Sequence, residues 1–331
     1  METASFLVPP EWARQQAVWV GWPRLAGEWG DAFDVARTEI AGFIRQLTQT
    51  VPVQIAIGDD AADASARAHG LAPSILRRIP SGDIWLRDTG PIVSTDGTTA
   101  CADIFAFNGW GGKFIMPGDR ETAPALARQA GLEIRRHDSV LEGGALDHDG
   151  QGTILTTRAC LLNTNRNSWS QAEAESVLAR TLGARRIIWL ERGLRHDHTD
   201  GHIDNIARFI APGRVACHRS VSRDDPQADR FAAAEDTLRA AGLEVVTIPS
   251  PGAVMNGDDI APASHLNFVF ANGAILLPTY DRRAGEAAAA ALSDALPNWA
   301  VKPLPSRAIV SGGGSFHCMT CNIPATSEAA Q

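Results

Sequence analysis

The sequence predicts an α/β protein made of one domain, in which five repeats of two or three strands and one helix close around an axis in a propeller-like arrangement. Three observations lead there. Five times along the chain an apolar strand-like stretch runs into an amphipathic helix, and the helix runs into a short β-branched strand. The final strands of the later copies begin near residues 132, 186, 244 and 300, at spacings of 54, 58 and 56 residues, a period that independent domains would not keep. A unit this small cannot bury both faces of its own sheet, so neighbouring units must cover it.

The first copy, about residues 10–88, opens on Ala17-Val-Trp-Val-Gly21. It continues through a helix over about 31–48, with Val35, Ile40, Phe43, Ile44 and Leu47 expected inward, to Val53-Gln-Ile-Ala-Ile57. An extra helix over 61–69 makes this copy longer. The second, 89–142, has strands over 91–93 and 102–107, a helix near 121–130 and a strand from 132. In the third, 143–204, strands are expected over 153–157 and 159–162. Its helix is opened by Ser170 with Glu173 three residues on, the pattern of a capping box, and 186–190 closes the unit. The fourth, 205–264, places strands over 206–210, 215–218 and 244–248 around a helix over 226–241. The fifth, 265–325, places them over 266–270, 274–277 and 300–304 around a helix over 284–296.

Bulk properties narrow the function. The 331 residues are 44% hydrophobic and 21% charged, an ordinary globular composition. A net charge of -8 argues against a phosphate-backbone partner. No apolar run approaches the ~20 residues of a membrane span, and Met1-Glu-Thr-Ala-Ser5 lacks the basic start of a secretory signal, so a cytoplasmic location is expected. The five cysteines are odd in number and mostly scattered, which is no disulfide framework; Cys101, Cys160 and Cys217 sit in apolar runs as inert buried thiols.

Reactive residue types fall at the ends of the units. Asp88 follows the first, Glu142 the second, His202 and Asp204 the third, Asn256-Gly-Asp-Asp259 the fourth, and Cys318 the fifth. Equivalent loops of a closed repeat emerge on one face, so these residues are expected to meet in a composite active site. Cys318 stands behind Gly312-Gly-Gly314, and glycine lets backbone approach a small substrate closely. A free thiol is mostly protonated at neutral pH and needs a cation or base beside it; a guanidinium substrate is itself such a cation. His202 titrates near working pH and suits proton transfer. Its spacing of two from Asp204 puts both side chains on one face if the chain is extended there. His317, adjacent to Cys318, would point the opposite way if its own segment is extended and is taken as structural. Asp88, Glu142 and Asp204 together suit a planar cation with a fork of N–H donors. Two rival patterns use the same residues: Cys318-Met-Thr-Cys321 has redox-motif spacing, and His196, His198 and His202 have the alternation of a zinc-hydrolase cluster. The first lies after a glycine run instead of opening a helix, and has no second cysteine pair.

These residues resemble the agmatine deiminase and bacterial peptidylarginine deiminase family of guanidine-modifying enzymes. The likeness spans nearly the whole chain, through Gly21-Trp-Pro23, Trp85-Leu-Arg-Asp-Thr-Gly-Pro91, Phe107-Asn-Gly-Trp-Gly-Gly-Lys113, Leu141-Glu-Gly-Gly144, Asp200-Gly-His-Ile-Asp-Asn205, Asn267-Phe-Val-Phe-Ala-Asn-Gly273 and Gly312-Gly-Gly-Ser-Phe-His-Cys318. The resemblance implies a five-bladed pseudosymmetric α/β propeller (pentein) of ββαβ-like repeats. It also implies that Cys318 attacks the guanidinium carbon, Asp88 and Asp204 hold its nitrogens, Glu142 anchors His202, and His202 protonates the departing ammonia and then activates water. Trp85, Gly313 and Gly314 would line the substrate. A covalent amidino-cysteine intermediate and no metal or organic cofactor are expected. Agmatine, giving N-carbamoylputrescine, is the leading substrate; arginine or peptidylarginine giving citrulline is the alternative, and an amidinotransferase a more distant one. The expected partner is a small guanidine, with neither nucleic acid nor membrane, and a homodimer stays open.

The chain departs from the agmatine deiminase pattern in three places. Ser315-Phe316 replaces the usual Asn-Ile, Cys321 replaces a polar residue, and Arg195-His-Asp-His-Thr-Asp-Gly-His202 replaces an acidic segment. Arg195 facing the pocket would suit a substrate carboxylate, whereas Asp197 or Asp200 would suit an amine.

Overall fold

Five sheets carry one connection. In the computed structural model, which describes residues 6–326, Ile92–Thr95 runs antiparallel to Ala100–Ala106. The latter runs parallel to Glu133–Val140 after a crossover through the helix Asp119–Gln129. A parallel pair cannot be joined by a tight turn, so a helix in each unit carries the chain back along the sheet. The same order recurs in Leu146–His148, Thr153–Thr157 and Arg186–Leu190 around the helix Gln171–Leu182. It recurs in Ala207–Ala211, Arg214–Arg219 and Glu244–Pro249 around Ala228–Ala240. It appears again in Val269–Ala271, Ala274–Thr279 and Ala300–Pro305 around Arg282–Ala295. The fifth sheet joins both ends of the chain: Thr320–Pro324 pairs antiparallel with Gln15–Gly21, which lies parallel to Val53–Ile57 across Phe33–Leu47. A fourth strand, Leu76–Arg78, follows the additional helix Asp60–Ala68. The sheets are separate from one another, and none closes on itself. The stretch Met1–Ser5, used above for localisation, lies outside the described residues.

Units cover one another as the burial argument requires. Helix Arg282–Ala295 packs on its own strands and on Glu244–Pro249 of the unit before it, and Ala228–Ala240 likewise reaches Arg186–Leu190. Fully buried residues such as Leu238, Phe209 and Leu155 join neighbouring units in one cluster, each contributing about 1.5–3 kcal/mol if it is withdrawn from water. Ser170 and Glu173 form the expected capping box, with Ser170 N–H donating to Glu173 Oε2 at 2.7 Å and Glu173 N–H to Ser170 Oγ at 3.3 Å. Among the described residues, no helix is long and apolar enough to cross a membrane.

Three local expectations are corrected. Val35 is 56% exposed, because it precedes Ile40 by five residues, about 140° around the helix, and Ala36 takes the inward place. The apolar run at 159–162 is not a strand but the short helix Arg158–Leu161, started by Thr157, whose hydroxyl accepts from Cys160 N–H at 3.2 Å. The strand expected over 266–270 shortens to Val269–Ala271, since the residues before it turn, with Asn267 N–H donating to Ser264 C=O.

Candidate active site

One glycine marks where the ends of three units meet. Gly144 begins the sheet of the third unit, and a Cβ placed on it would lie 2.6 Å from His202 Nδ1, 2.9 Å from Asp88 Oδ1 and 3.3 Å from Asp204 Oδ2. Only a hydrogen fits there. Gly144 N–H also donates to Asp88 Oδ1 at 3.0 Å, while the indole of Trp110 donates to Asp88 Oδ2 at 2.9 Å. Trp110 is held for this contact at φ 52°, a left-handed backbone that is uncommon for an aromatic residue. Asp88 itself comes from the helical turn Leu86–Thr89, where Arg87 N–H donates to Cys318 C=O at 3.0 Å and so ties the first unit to the thiol segment.

His202 and Asp204 reach the site by a route other than the extended chain expected. Ile203–Asn205 is a 3₁₀ turn with His202 just before it and Asp204 inside it, and both side chains still converge beside Gly144. His202 is 1% exposed, with Nδ1 3.7 Å from Asp88 Oδ1 and Nε2 3.9 Å from Glu142 Oε2. Burial would depress its pKa, but Asp88, Cys160 and Glu142 together reverse that and hold it well above the ordinary value. Glu142 is buried too. Its carboxyl stays below the usual range because His202 and Arg166 outweigh burial, and Arg166 Nε donates to Oε1 at 2.9 Å.

Cys318 sits in a turn, with Met319 N–H donating to Ser315 C=O, so the extended geometry supposed for His317 does not hold. The thiol lies 3.6 Å from Asp204 Oδ2 and 3.1 Å from Asn267 Nδ2. Asn267 Oδ1 accepts the backbone N–H groups of His317 and Cys318 at 2.9 and 3.2 Å, which fixes the direction of the segment. Burial pushes the Cys318 thiol well above its ordinary pKa, and Asp204 and Asp88 push it further. Asp204 is held down by His317, His202 and Arg208 against burial. Its Oδ2 accepts from His317 Nδ1 at 2.8 Å, while Oδ1 is buried with no hydrogen-bond partner among the described residues. An ionised carboxylate with one spare oxygen invites an N–H donor. His317 is thus no bystander: its Nε2 faces Glu11 Oε1 at 2.7 Å, and Glu11 also pairs with Arg87 and Arg208.

Above these groups opens a pocket of about 140 Å³. Trp85 forms one wall, stacked on Trp29 at 5.8 Å between ring centroids. Gly314 passes so close that a Cβ would come within 2.7 Å of the Trp85 ring, and Gly313, at φ 104°, has a backbone suited to glycine. The loop is anchored where its sequence is unusual: Phe316 stacks on Phe43 at 4.5 Å and Ser315 Oγ lies 2.7 Å from Ser306 Oγ. Phe114, Met116 and His198 also line it, and so do the acids Glu28 and Asp83. Burial, with Asp119 and Glu28 nearby, raises Asp83 to a pKa of about 6. Among the described residues lining this pocket, none is Lys or Arg.

The residues proposed from sequence for the substrate's far end are all turned elsewhere. Arg195 pairs with Asp229 at 2.6 Å and donates to Pro226 C=O; Asp197 accepts from Thr199; Asp200 is taken by Lys113, Asn165 and Arg166. The stretch Asn256–Asp259 forms the turn of an exposed two-stranded hairpin outside the pocket lining. His196 and His198 do not join His202 in a group of metal-ligating atoms. Cys321 is a free buried thiol whose Sγ approaches Pro91 C=O at 3.5 Å. Sequence reasoning missed Asn267, Glu11, Asp83, Glu28, Trp110 and Arg166 as participants. Asn267 and Trp110 lay within motifs already singled out; the others carried no local signal.

A sequence model of the Porphyromonas-type peptidyl-arginine deiminase family matches residues 7–324. A Shewanella frigidimarina protein named "Putative agmatine deiminase" is 35% identical over 350 residues, which cover 97% of this chain and 94% of its own. Among solved structures, a cysteine-to-serine variant of C. jejuni agmatine deiminase with substrate bound matches at a TM-score of 0.91 and 27% identity, covering 97% of each chain. The Enterococcus faecalis agmatine deiminase matches at 0.91 and 26% identity, covering 96% of each.

Proposed function

Since the chain belongs to the Porphyromonas-type peptidyl-arginine deiminase family, we propose that it hydrolyses agmatine to N-carbamoylputrescine and ammonia, with Cys318 as nucleophile. The substrate guanidinium lies over Gly144, its N–H groups donating to Asp88 and to the spare Oδ1 of Asp204. This cation neutralises the two acids that raise the thiol, so the Cys318 proton leaves for solvent as substrate binds. The thiolate adds to the guanidinium carbon. His202, charged in the free site, gives its proton to the departing nitrogen, and ammonia leaves an amidino-cysteine. The neutral imidazole then takes a proton from water, hydroxide adds to the same carbon, and the C–S bond breaks to return the thiolate as the added hydroxyl releases its proton to solvent and becomes the urea carbonyl. Glu142, fixed by Arg166, stabilises the imidazolium each time it forms.

The observation that carries the choice of agmatine is the charge of the pocket. A substrate cationic at both ends finds Asp88, Asp83 and Glu28 in the pocket lining and Asp204 beside the thiol, whereas an α-carboxylate finds no cationic lining residue to meet it. Like charges brought together without a counter-ion lose affinity, about tenfold for each 1.4 kcal/mol. Ammonia release should therefore favour agmatine over arginine and over a C-terminal arginyl peptide by about 100-fold or more in kcat/KM, roughly 2.7 kcal/mol, with Cys318→Ala as the blank. Parity with either carboxylate substrate would move the chain to the citrulline-forming alternative.

The five like-connected sheets support a five-bladed pseudosymmetric propeller of the pentein type, with repeats at about 10–88, 89–142, 143–204, 205–264 and 265–325 in one domain. The five free cysteines support a cytoplasmic setting.

A further inference from the structure

Behind His202, on the side away from Asp88, three side chains of different chemistry converge. Glu142, Cys160 and His202 each offer one ligand atom, and the three atoms lie within 4.8 Å of one another. Each residue is 1% exposed. The facing atoms of Glu142 and His202 stand apart with no hydrogen bond between them. Arg166 occupies Glu142 Oε1, but Oε2 faces His202 Nε2 at 3.9 Å, and Nε2 has no hydrogen-bond partner among the described residues. A buried ring nitrogen without a partner is rare and asks for a cause. At 3.9 Å the two atoms are too far apart to bond each other and slightly wider than the roughly 3.3 Å that separates two ligands on a tetrahedral ion with bonds of ~2.0–2.1 Å.

We propose that Glu142, Cys160 and His202 form an inhibitory Zn²⁺ site. The donor set is one thiolate sulfur, one imidazole nitrogen and one carboxylate oxygen, which leaves a fourth tetrahedral position for water. The sulfur selects a borderline-soft ion such as Zn²⁺ over Mg²⁺ or Ca²⁺. Cys160 is delivered to this spot by the Thr157-capped turn Arg158–Leu161. On binding, the Cys160 S–H proton and any proton on Nε2 pass to solvent, and the metal takes both lone pairs. A loaded site would hold Nε2 of the imidazole whose other nitrogen, Nδ1, faces the reacting groups, so the ring could no longer become the imidazolium that gives up a proton in the deiminase reaction, and turnover stops until the ion is removed. That consequence rests on the proposed function; the site itself rests on geometry alone.

The test is a Co²⁺ titration of the chelator-stripped full chain, followed by the thiolate-to-cobalt absorption band, with Zn²⁺ then added as competitor and ammonia release measured in parallel. One Co²⁺ per chain, a sulfur band, displacement by Zn²⁺ and a chelator-reversible loss of turnover are expected. Cys160→Ala and the size-matched Cys160→Ser should both lose the band and weaken Zn²⁺ binding at least tenfold, whereas Cys318→Ala should keep both. Absence of a sulfur band in the wild type, or a band that survives both Cys160 variants and disappears in Cys318→Ala, would overturn the proposal. Cobalt binding as expected in a protein that releases ammonia from no guanidine would leave the site standing and remove the deiminase reading instead.

Discussion

Replacing Gly144 by alanine puts a methyl group where the reacting groups converge. Its carbon would lie 2.6 Å from His202 Nδ1 and 2.9 Å from Asp88 Oδ1. Ordinary contact begins near 3.4 Å, so the imidazole must retreat by about 0.8 Å and the carboxylate by about 0.5 Å to escape repulsion. Asp88 is pinned by Trp110, and an imidazole that moves back toward Glu142, 3.9 Å behind its Nε2, loses its place beside Asp88. Misplacement of a reacting group by about 1 Å costs on the order of 100-fold in rate, while overpacking of this kind costs about 1–3 kcal/mol in stability. Gly144→Ala should therefore lower kcat/KM for agmatine about 100-fold or more and the melting temperature by only a few degrees. Steady-state ammonia release and thermal unfolding on the same preparation separate the two effects. Gly42→Ala is the matched control, since it lies in a helix with nothing within 4 Å of the new carbon. It should keep full activity and gain about 0.5–1 kcal/mol of stability. A Gly144→Ala protein with kcat/KM within threefold of wild type would refute the convergence of His202, Asp88 and Asp204 at this point.

Asp83→Asn should raise KM for agmatine about 10- to 150-fold, from the roughly 1.5–3 kcal/mol of a charged hydrogen bond, with a smaller effect on kcat. Because Asp83 is neutral below its pKa of about 6, KM of the wild type should climb as pH falls through about 6; a Michaelis-constant profile that is equally steep in the variant would rule Asp83 out. Cys321→Ser should retain activity within about threefold, since a hydroxyl can still donate to Pro91 C=O, and loss of turnover here would revive the dithiol pattern. His317→Ala should lower kcat more than it raises KM, by about 10- to 100-fold, as expected for a lost charged hydrogen bond to Asp204. His317→Asn, which keeps one N–H donor, should recover part of that loss; equal damage from both variants would mean the ring only fills space.

The repeat was legible because its signals are local: β-branched strands, amphipathic helices and the Ser170–Glu173 cap each depend on residues close together in sequence. The residues that the structure brings together around Gly144 and Cys318 were legible for the same reason, as acids, a histidine and a thiol placed at successive unit ends. What the sequence concealed depends on contacts across units. Glu11 matters through His317, 306 residues away along the chain. Asn267 looked like one more residue of an apolar strand, but the backbone turns there and aims its amide at Cys318. Thr157 turned an apolar run into a helix through a single hydroxyl. Arg195 and Asp200 were reasonable candidates by position, yet each finds a closer counter-charge in Asp229 or Arg166. Choosing among counter-charges needs three dimensions.

The pairing of Thr320–Pro324 with Gln15–Gly21 gives the molecule an unusual order of assembly. The strand that follows the thiol docks on the strand Gln15–Gly21, so the longest loop in the fold has to close before the segment carrying Cys318 is anchored on both sides. By polymer statistics a closure over roughly 300 residues carries an entropic penalty of about 5 kcal/mol, and contacts so distant in sequence make folding slow. On the proposed mechanism, a partly folded or truncated chain that lacks this pairing, however much of its helix and sheet it has formed, should be catalytically silent. Specific activity should therefore count molecules in which this pairing has formed, and during refolding it should recover later than helical circular dichroism.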